Sequence, residues 1–319
     1  MTLVALARNP VPGGAMTGFF KAADGTKLRF ARWNETRGPQ RGTVTVLPGR
    51  GEFIEKYFEV VADLRRRGFA VAIMDLRGQG GSGRALINPA KGHVKNFRQY
   101  DQDLATFMTG IVLPSCPGPH IGLGHSLGGH LLLRHASQAK IWFQRIVVTA
   151  PMIELSREAS GLSQQTMRLL SETLAAVGFA RAFVPGGSRV PQETMDFETN
   201  IVTSDRERYM RTRAILEAAP ELALGSPTIG WLRAALRSMA MLQGGDYPST
   251  IKVPSLLVAA GQDRIVSTNA VEAFGVSLKV GSHVLIGPSR HEILMENDEI
   301  RARFWASVDA YLGVTAAAA

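Results

Sequence analysis

Residues 119–137 constrain the fold more than any other stretch of this chain. Pro119-His120-Ile121-Gly122-Leu123 reads as a short buried strand, and Leu127 to Ser137 as a largely apolar helix. Between them Gly124-His125-Ser126-Leu127-Gly128 matches Gly-x-Ser-x-Gly, the pattern of a nucleophile elbow. A strand that becomes a helix within one residue forces a strained backbone at the serine. Only small residues two before and two after it avoid collision with the neighbouring strand or helix. Such a turn holds its hydroxyl at a helix N-terminus, where backbone N–H groups favour developing negative charge.

The rest of the chain supplies the setting that the turn requires. Lys27 to Trp33 alternates polar and apolar, as an exposed-face strand does, and Thr43 to Leu47 forms a second strand running into Pro48-Gly49-Arg50-Gly51-Glu52. A helix follows over about 55–67, with Gly68 as its stop. Phe69 to Met74 is a near-continuous apolar strand that ends in the Gly-rich Asp75-Leu76-Arg77-Gly78-Gln79-Gly80-Gly81-Ser82-Gly83. Asn96 to Val112 is helical in spacing, and Arg145 to Ala150 is the strand after the elbow helix. Strands alternating with helices across short loops imply a parallel sheet with right-handed crossovers.

The alternation stops at Met152. From there to Tyr247 only helical patterns appear, over 162–177, 205–218 and 230–242. Met167, Leu170, Leu174 and Val177 make one apolar stripe; Trp231, Leu232, Leu236 and Met239 make another. Packing between the helices accounts for both stripes, although insertions over the carboxyl edge of a sheet also line substrate pockets. The sheet resumes at 255–260 and 282–286, a helix covers 268–274, and a helix over 298–312 closes the chain. The predicted organisation is therefore a flexible N-terminal tail at 1–17, an α/β core at 18–151 and 248–313, and a helical cap at 152–247.

A serine hydroxyl needs an imidazole to take its proton, and the imidazole needs a carboxylate to fix its tautomer. Among the seven histidines only His291 follows a strand's carboxyl end, on the same edge as Ser126. Asp263 follows the penultimate strand, whereas Asp246 precedes it and falls on the opposite edge. Ser126, Asp263 and His291 also stand in the chain order of an α/β-hydrolase triad. The oxyanion donors expected are the backbone N–H groups of Leu127 and Arg50, with no role required of the Arg50 side chain. Asp75, Arg77 and the glycines after them are expected to brace the oxyanion loop.

Here the chain resembles the lysophospholipase/monoacylglycerol lipase group of α/β-hydrolases, of serine aminopeptidase S33 type. The resemblance rests on Pro48-Gly49-Arg50-Gly51-Glu52, Asp75 to Ser82, Gly124 to Gly129, Gly261-Gln262-Asp263 and Arg290-His291-Glu292, and spans about residues 18–313. It extends into the cap through Glu217 to Gly225 and Trp231-Leu232. It implies the same triad and the same oxyanion pair. It also implies an acyl-enzyme hydrolase of a lysophospholipid or monoacylglycerol that uses no cofactor and no metal. The group's usual histidine before the oxyanion glycine is Pro48 here, so the bracing of that loop differs. A small-ester esterase and an aminopeptidase are rivals on the same fold. The second needs an acidic cluster, for which Glu154, Glu158, Glu172, Glu193, Asp196 and Glu198 are available. A catalytically silent binding protein is the rival outside enzymes.

The net charge of +9 is spread along the chain, so it reads as an Arg-rich surface rather than a nucleic-acid site. It allows weak peripheral contact with an anionic membrane. The single Cys116 excludes an intrachain disulfide and suits a reducing compartment. No apolar run approaches the ~20 residues of a membrane span. A cytoplasmic location is expected, extending to the inner membrane face.

Overall fold

The computed structural model describes residues 2–36 and 39–314. Its centre is a sheet of eight strands among the described residues: β1 (Met16–Lys21), β2 (Lys27–Trp33), β3 (Thr43–Leu47), β4 (Ala70–Met74), β5 (His120–His125), β6 (Arg145–Thr149), β7 (Ser255–Ala260) and β8 (Gly281–Ile286). Their spatial order is β1-β2-β4-β3-β5-β6-β7-β8. β1 pairs antiparallel with β2, and β2 antiparallel with β4; every later pair is parallel. The chain leaves β3 toward β4 on one side and later reaches β5 on the other, which puts a crevice beyond the carboxyl end of β3.

Both faces of the sheet are covered. The helices 98–107, 127–136 and 229–243 bury Leu104, Leu131, Leu132, Leu236 and Met239 against one face. Helices 58–66 and 298–312 bury Val61, Leu64, Phe304 and Val308 against the other. Double coverage explains why β3, β4 and β7 are buried along their whole length.

Three expectations need correction. The segment expected to be a flexible tail lies against the core: Val4 N–H donates to Glu55 at 3.2 Å, Asn9 Nδ2 to the Glu55 carbonyl at 3.0 Å, and Trp33 Nε1 to the Pro12 carbonyl at 2.9 Å. Its last residues enter β1, whose partner β2 supplies the backbone bonds. β2 is also not polar on an exposed face, because Arg29 is buried between Glu55 and Asp75 and bonds both carboxylates at 2.6–2.8 Å. In the segment expected to form a cap, only Met167 of the first stripe is buried, and Leu170 and Val177 are exposed. The helix 164–176 packs on helix 229–243, and Leu170 and Val177 lie outside that contact. Helix 206–218 is tied down by charge, with Arg208 and Arg211 both on Glu59.

Candidate active site

The elbow sits between two close backbone contacts. The parallel register pairs Leu47 with Gly124, so the loop after β3 and the turn after β5 leave the sheet side by side. Ser126 has φ +50° and ψ −110°, a region costly for a residue with a Cβ. A Cβ at Gly124 would stand 2.6 Å from the Gly128 backbone, and one at Gly128 would run into the Leu47 carbonyl. The serine carbonyl accepts from His130 N–H at 2.9 Å and Met152 N–H at 3.1 Å, while its own N–H donates to the Thr149 carbonyl at 2.9 Å. These bonds hold the strained geometry in place.

His291 follows β8 and Asp263 follows β7, at the same edge of the sheet as Ser126. His291 Nδ1 lies 2.6 Å from Asp263 Oδ2. The other carboxylate oxygen accepts the N–H groups of Ile265 at 2.8 Å and Val266 at 3.0 Å. Burial works against a charged His291, but the Asp263 carboxylate outweighs it and raises the imidazole above its ordinary 6.5. Burial likewise opposes ionisation of Asp263, and His291 with the two N–H groups overcomes it. His291 and Ser126 line one cavity of about 130 Å³, together with Gly49, Arg50, Glu52, His125, Gln192, Glu193, Val202, Ile265 and Glu292. Asp246 is exposed and precedes β7, away from this cavity.

Leu127 is the first residue of helix 127–136, whose opening N–H groups have no intrahelical acceptor. Among the described residues neither its N–H nor that of Arg50 donates to another protein group. The loop around Arg50 is braced differently from expectation. Asp75 reaches only its far end, accepting from Ile54 N–H at 2.9 Å, and Arg77 is spent on Asp103 and Asp24. Gln79 holds the loop itself: its amide donates to the Gly49 and Glu52 carbonyls at 2.7 and 2.9 Å and accepts from Gly51 N–H at 3.2 Å. Glu52 accepts from Gly49 N–H and from Tyr57 Oη. With proline at 48, the Gln79 and Glu52 side chains hold the loop.

A buried charge network that the sequence did not disclose lies behind the loop. Lys56 Nζ bridges Glu52 at 2.9 Å and Glu292 at 2.6 Å. Burial opposes the charge on Lys56, yet the two carboxylates raise its pKa. Burial and the neighbouring Glu52 push Glu292 up against the pull of Lys56. His125 packs on His291 with ring centroids 4.8 Å apart and is lowered to about 4 by burial, so it stays neutral. Glu193, in the segment expected to form a cap, is pushed up to about 7, chiefly by burial. The signal available in sequence was only that Glu52, Lys56 and Glu292 fall within or beside the loop blocks.

Of the six cap acids, Glu193 alone lines the cavity. Glu158, Glu172 and Glu198 pair with Arg264, Arg237 and Arg206; Glu154 accepts from Gln243, and Asp196 is exposed. The helices 164–176 and 229–243, whose stripes the sequence also allowed to line a substrate pocket, do not line it either. Apart from Val202 and Ile265 the lining is polar or glycine. No group of three or more His, Cys, Asp or Glu among the described residues is placed to hold a metal. No helix among them is long and apolar enough to cross a membrane.

The family model described as serine aminopeptidase, S33, matches residues 38–298. Lysophospholipase L2 of Escherichia coli (strain K12) is 32% identical over 296 residues, covering 89% of this chain and 83% of that protein. A monoacylglycerol lipase of Mycolicibacterium smegmatis is 24% identical, over 77% of this chain and 79% of the other. Among solved structures, a soluble variant of monoglyceride lipase from Saccharomyces cerevisiae superposes with a TM-score of 0.75 at 19% identity, covering 95% and 97% of the two chains. A carboxyl esterase from Bacillus coagulans gives 0.69 at 16% identity, over 95% and 99%.

Proposed function

The chain belongs to the serine aminopeptidase S33 family of α/β-hydrolases, and from that membership we propose a serine carboxylester hydrolase that frees fatty acid from a lysophospholipid or monoacylglycerol. One observation carries the reading: strained Ser126 shares a cavity with His291, whose far nitrogen is bonded to buried Asp263. The names of the relatives, a lysophospholipase and a monoacylglycerol lipase, support the mono-acyl class.

In the proposed reaction Ser126 Oγ attacks the acyl carbonyl while His291 Nε2 takes its proton. The tetrahedral oxyanion is met by the N–H groups of Arg50 and Leu127, each donor worth about 3 kcal/mol. His291 then protonates the leaving glycerol oxygen, which departs and leaves an acyl-enzyme. Water gives its proton to His291, attacks the acyl carbon and releases the fatty acid as Ser126 recovers its proton. Asp263 keeps the Nδ1 proton in place and offsets the charge on the imidazolium. No step calls for a cofactor.

Residues 152–247 act in this reading as a cap over a core of 18–151 and 248–313. A polar cavity of about 130 Å³ suits the ester and head-group end of the substrate. An acyl chain extends beyond it, since ligand pockets commonly span roughly 300 Å³ or more. In this reading the cap shifts to admit it. The net charge of +9 would make a peripheral contact with an anionic membrane salt-sensitive, and Leu169, Leu170, Val177 and Phe179 are apolar side chains exposed on the same segment.

A panel of lysophospholipids, monoacylglycerols, short p-nitrophenyl esters and aminoacyl amides tests the reading, with Ser126→Ala as the control. Wild type should turn over the mono-acyl lipids and react with a fluorophosphonate; Ser126→Ala should do neither. Turnover of short esters or aminoacyl amides without lipid turnover would replace the lipid assignment. Unreactive wild type would mean a silent binding protein.

A further inference from the structure

Arg50 carries an oxyanion N–H in the reading above, but its side chain has features which that role does not use. The guanidinium has no ion-pair partner among the described residues. Nη2 donates to the Gly225 carbonyl at 2.6 Å, and the group lies over the Trp231 ring, 5.3 Å from its centroid. Nε is buried without a partner. A Cβ at Gly92 would stand 2.8 Å from Nη2, so that glycine forms one wall of the slot. The two sides of the slot are bonded to each other, Gly225 N–H to the Ala90 carbonyl at 2.9 Å and Thr228 N–H to the Gly92 carbonyl at 3.0 Å. The residue is partly buried, and the Glu193 carboxylate acts on the guanidinium without pairing with it; burial prevails and lowers its pKa to about 10. The unpartnered Nε costs stability rather than adding it.

The loop's other tethers hold Gly49 and Gly51, on either side of residue 50, and leave its N–H free. We propose that Arg50 is a positioning residue: its side chain, gripped between Gly92, Gly225 and Trp231, orients the N–H of residue 50 toward the acyl oxygen. The seating of cap segment 224–231 then sets the rate of the chemical step, beyond any effect on substrate affinity. This rests on Ser126 being the nucleophile. An N–H displaced from the oxyanion's position stabilises the transition state less while leaving the ground state alone, so the loss falls on kcat.

Steady-state kinetics on p-nitrophenyl butyrate, a substrate too small to need the cap's apolar surface, tests the proposal. Arg50→Met should lower kcat tenfold or more with KM within threefold. Arg50→Lys, which can still donate to the Gly225 carbonyl, should recover part of that loss. Trp231 does not line the cavity, yet Trp231→Leu should produce the same kcat-selective loss. The double variant should fall no further than the worse single one, because both remove one coupling. A kcat loss under tenfold in Arg50→Met, a loss carried by KM, or full additivity would overturn the inference. Should Arg50→Met fail to fold, Arg50→Lys and Trp231→Leu decide by the same kcat-against-KM split. Turnover surviving in Ser126→Ala would instead overturn the serine mechanism, a separate and distinguishable failure.

Discussion

Replacing Asp263 by asparagine isolates what the carboxylate does for His291. Oδ1 of Asp263 is held by two backbone donors, Ile265 N–H at 2.8 Å and Val266 N–H at 3.0 Å. An asparagine therefore keeps its carbonyl oxygen on that side and turns its NH₂ toward His291 Nδ1, 2.6 Å away in the native pair. Two donors cannot face each other, so the imidazole must accept at Nδ1 and carry its proton on Nε2. That tautomer has no lone pair for Ser126. The expected cost is on the order of 10⁴ in kcat, the size of the matching change in a serine protease and equal to about 5.4 kcal/mol of transition-state stabilisation. The pH profile gives a second readout. His291 is raised above 6.5 by Asp263, and activity needs the neutral imidazole, so wild-type kcat/KM should rise with pH along a limb above 6.5. In Asp263→Asn the residual activity should show that limb moved to lower pH, because burial then acts unopposed by the carboxylate. Initial rates on p-nitrophenyl butyrate from pH 5 to 9 measure both. A loss below tenfold, an unmoved limb, or an equal loss in exposed Asp246→Asn would refute the assignment of the acid.

Gly128→Ala should destabilise the fold by about 3 kcal/mol or more, since the new Cβ meets the Leu47 backbone, which cannot move without breaking the β3–β5 pairing; thermal unfolding checks it, and an unchanged midpoint would contradict the elbow geometry. Esters of increasing acyl length should show kcat/KM rising tenfold or more from short to long chains, because each buried methylene contributes about 0.8 kcal/mol once the cap has shifted. A profile peaking at two to four carbons would favour a small-ester esterase that uses the polar cavity as it stands.

The strand–turn–helix around Ser126, the parallel sheet and the edge on which Asp263 and His291 lie could all be read in the sequence. Each depends on neighbours in the chain: apolar runs at strand length, glycines two either side of a serine, a loop directly after a strand. The helix over 298–312 was legible for the same reason, its apolar residues recurring at helical spacing. What surrounds the site was not. Glu52, Lys56 and Glu292 are charged, and charge in a local pattern reads as surface; only the meeting of residues 52 and 56 with residue 292 makes burying them affordable, through bonds that each carboxylate and the ammonium supply to the other. Arg29 was misread in the same way, since Glu55 and Asp75 reach it from other elements. The cap's apolar stripes matched helices, but periodicity records a helix's face and not what covers it. Tertiary packing left Leu170 and Val177 in solvent, brought Glu193 to the cavity and placed the Arg50 side chain against Trp231. Local pattern decides elements and turns because their energetics act within a few residues; the partners of a buried charge come from distant segments, and only the folded chain brings them together.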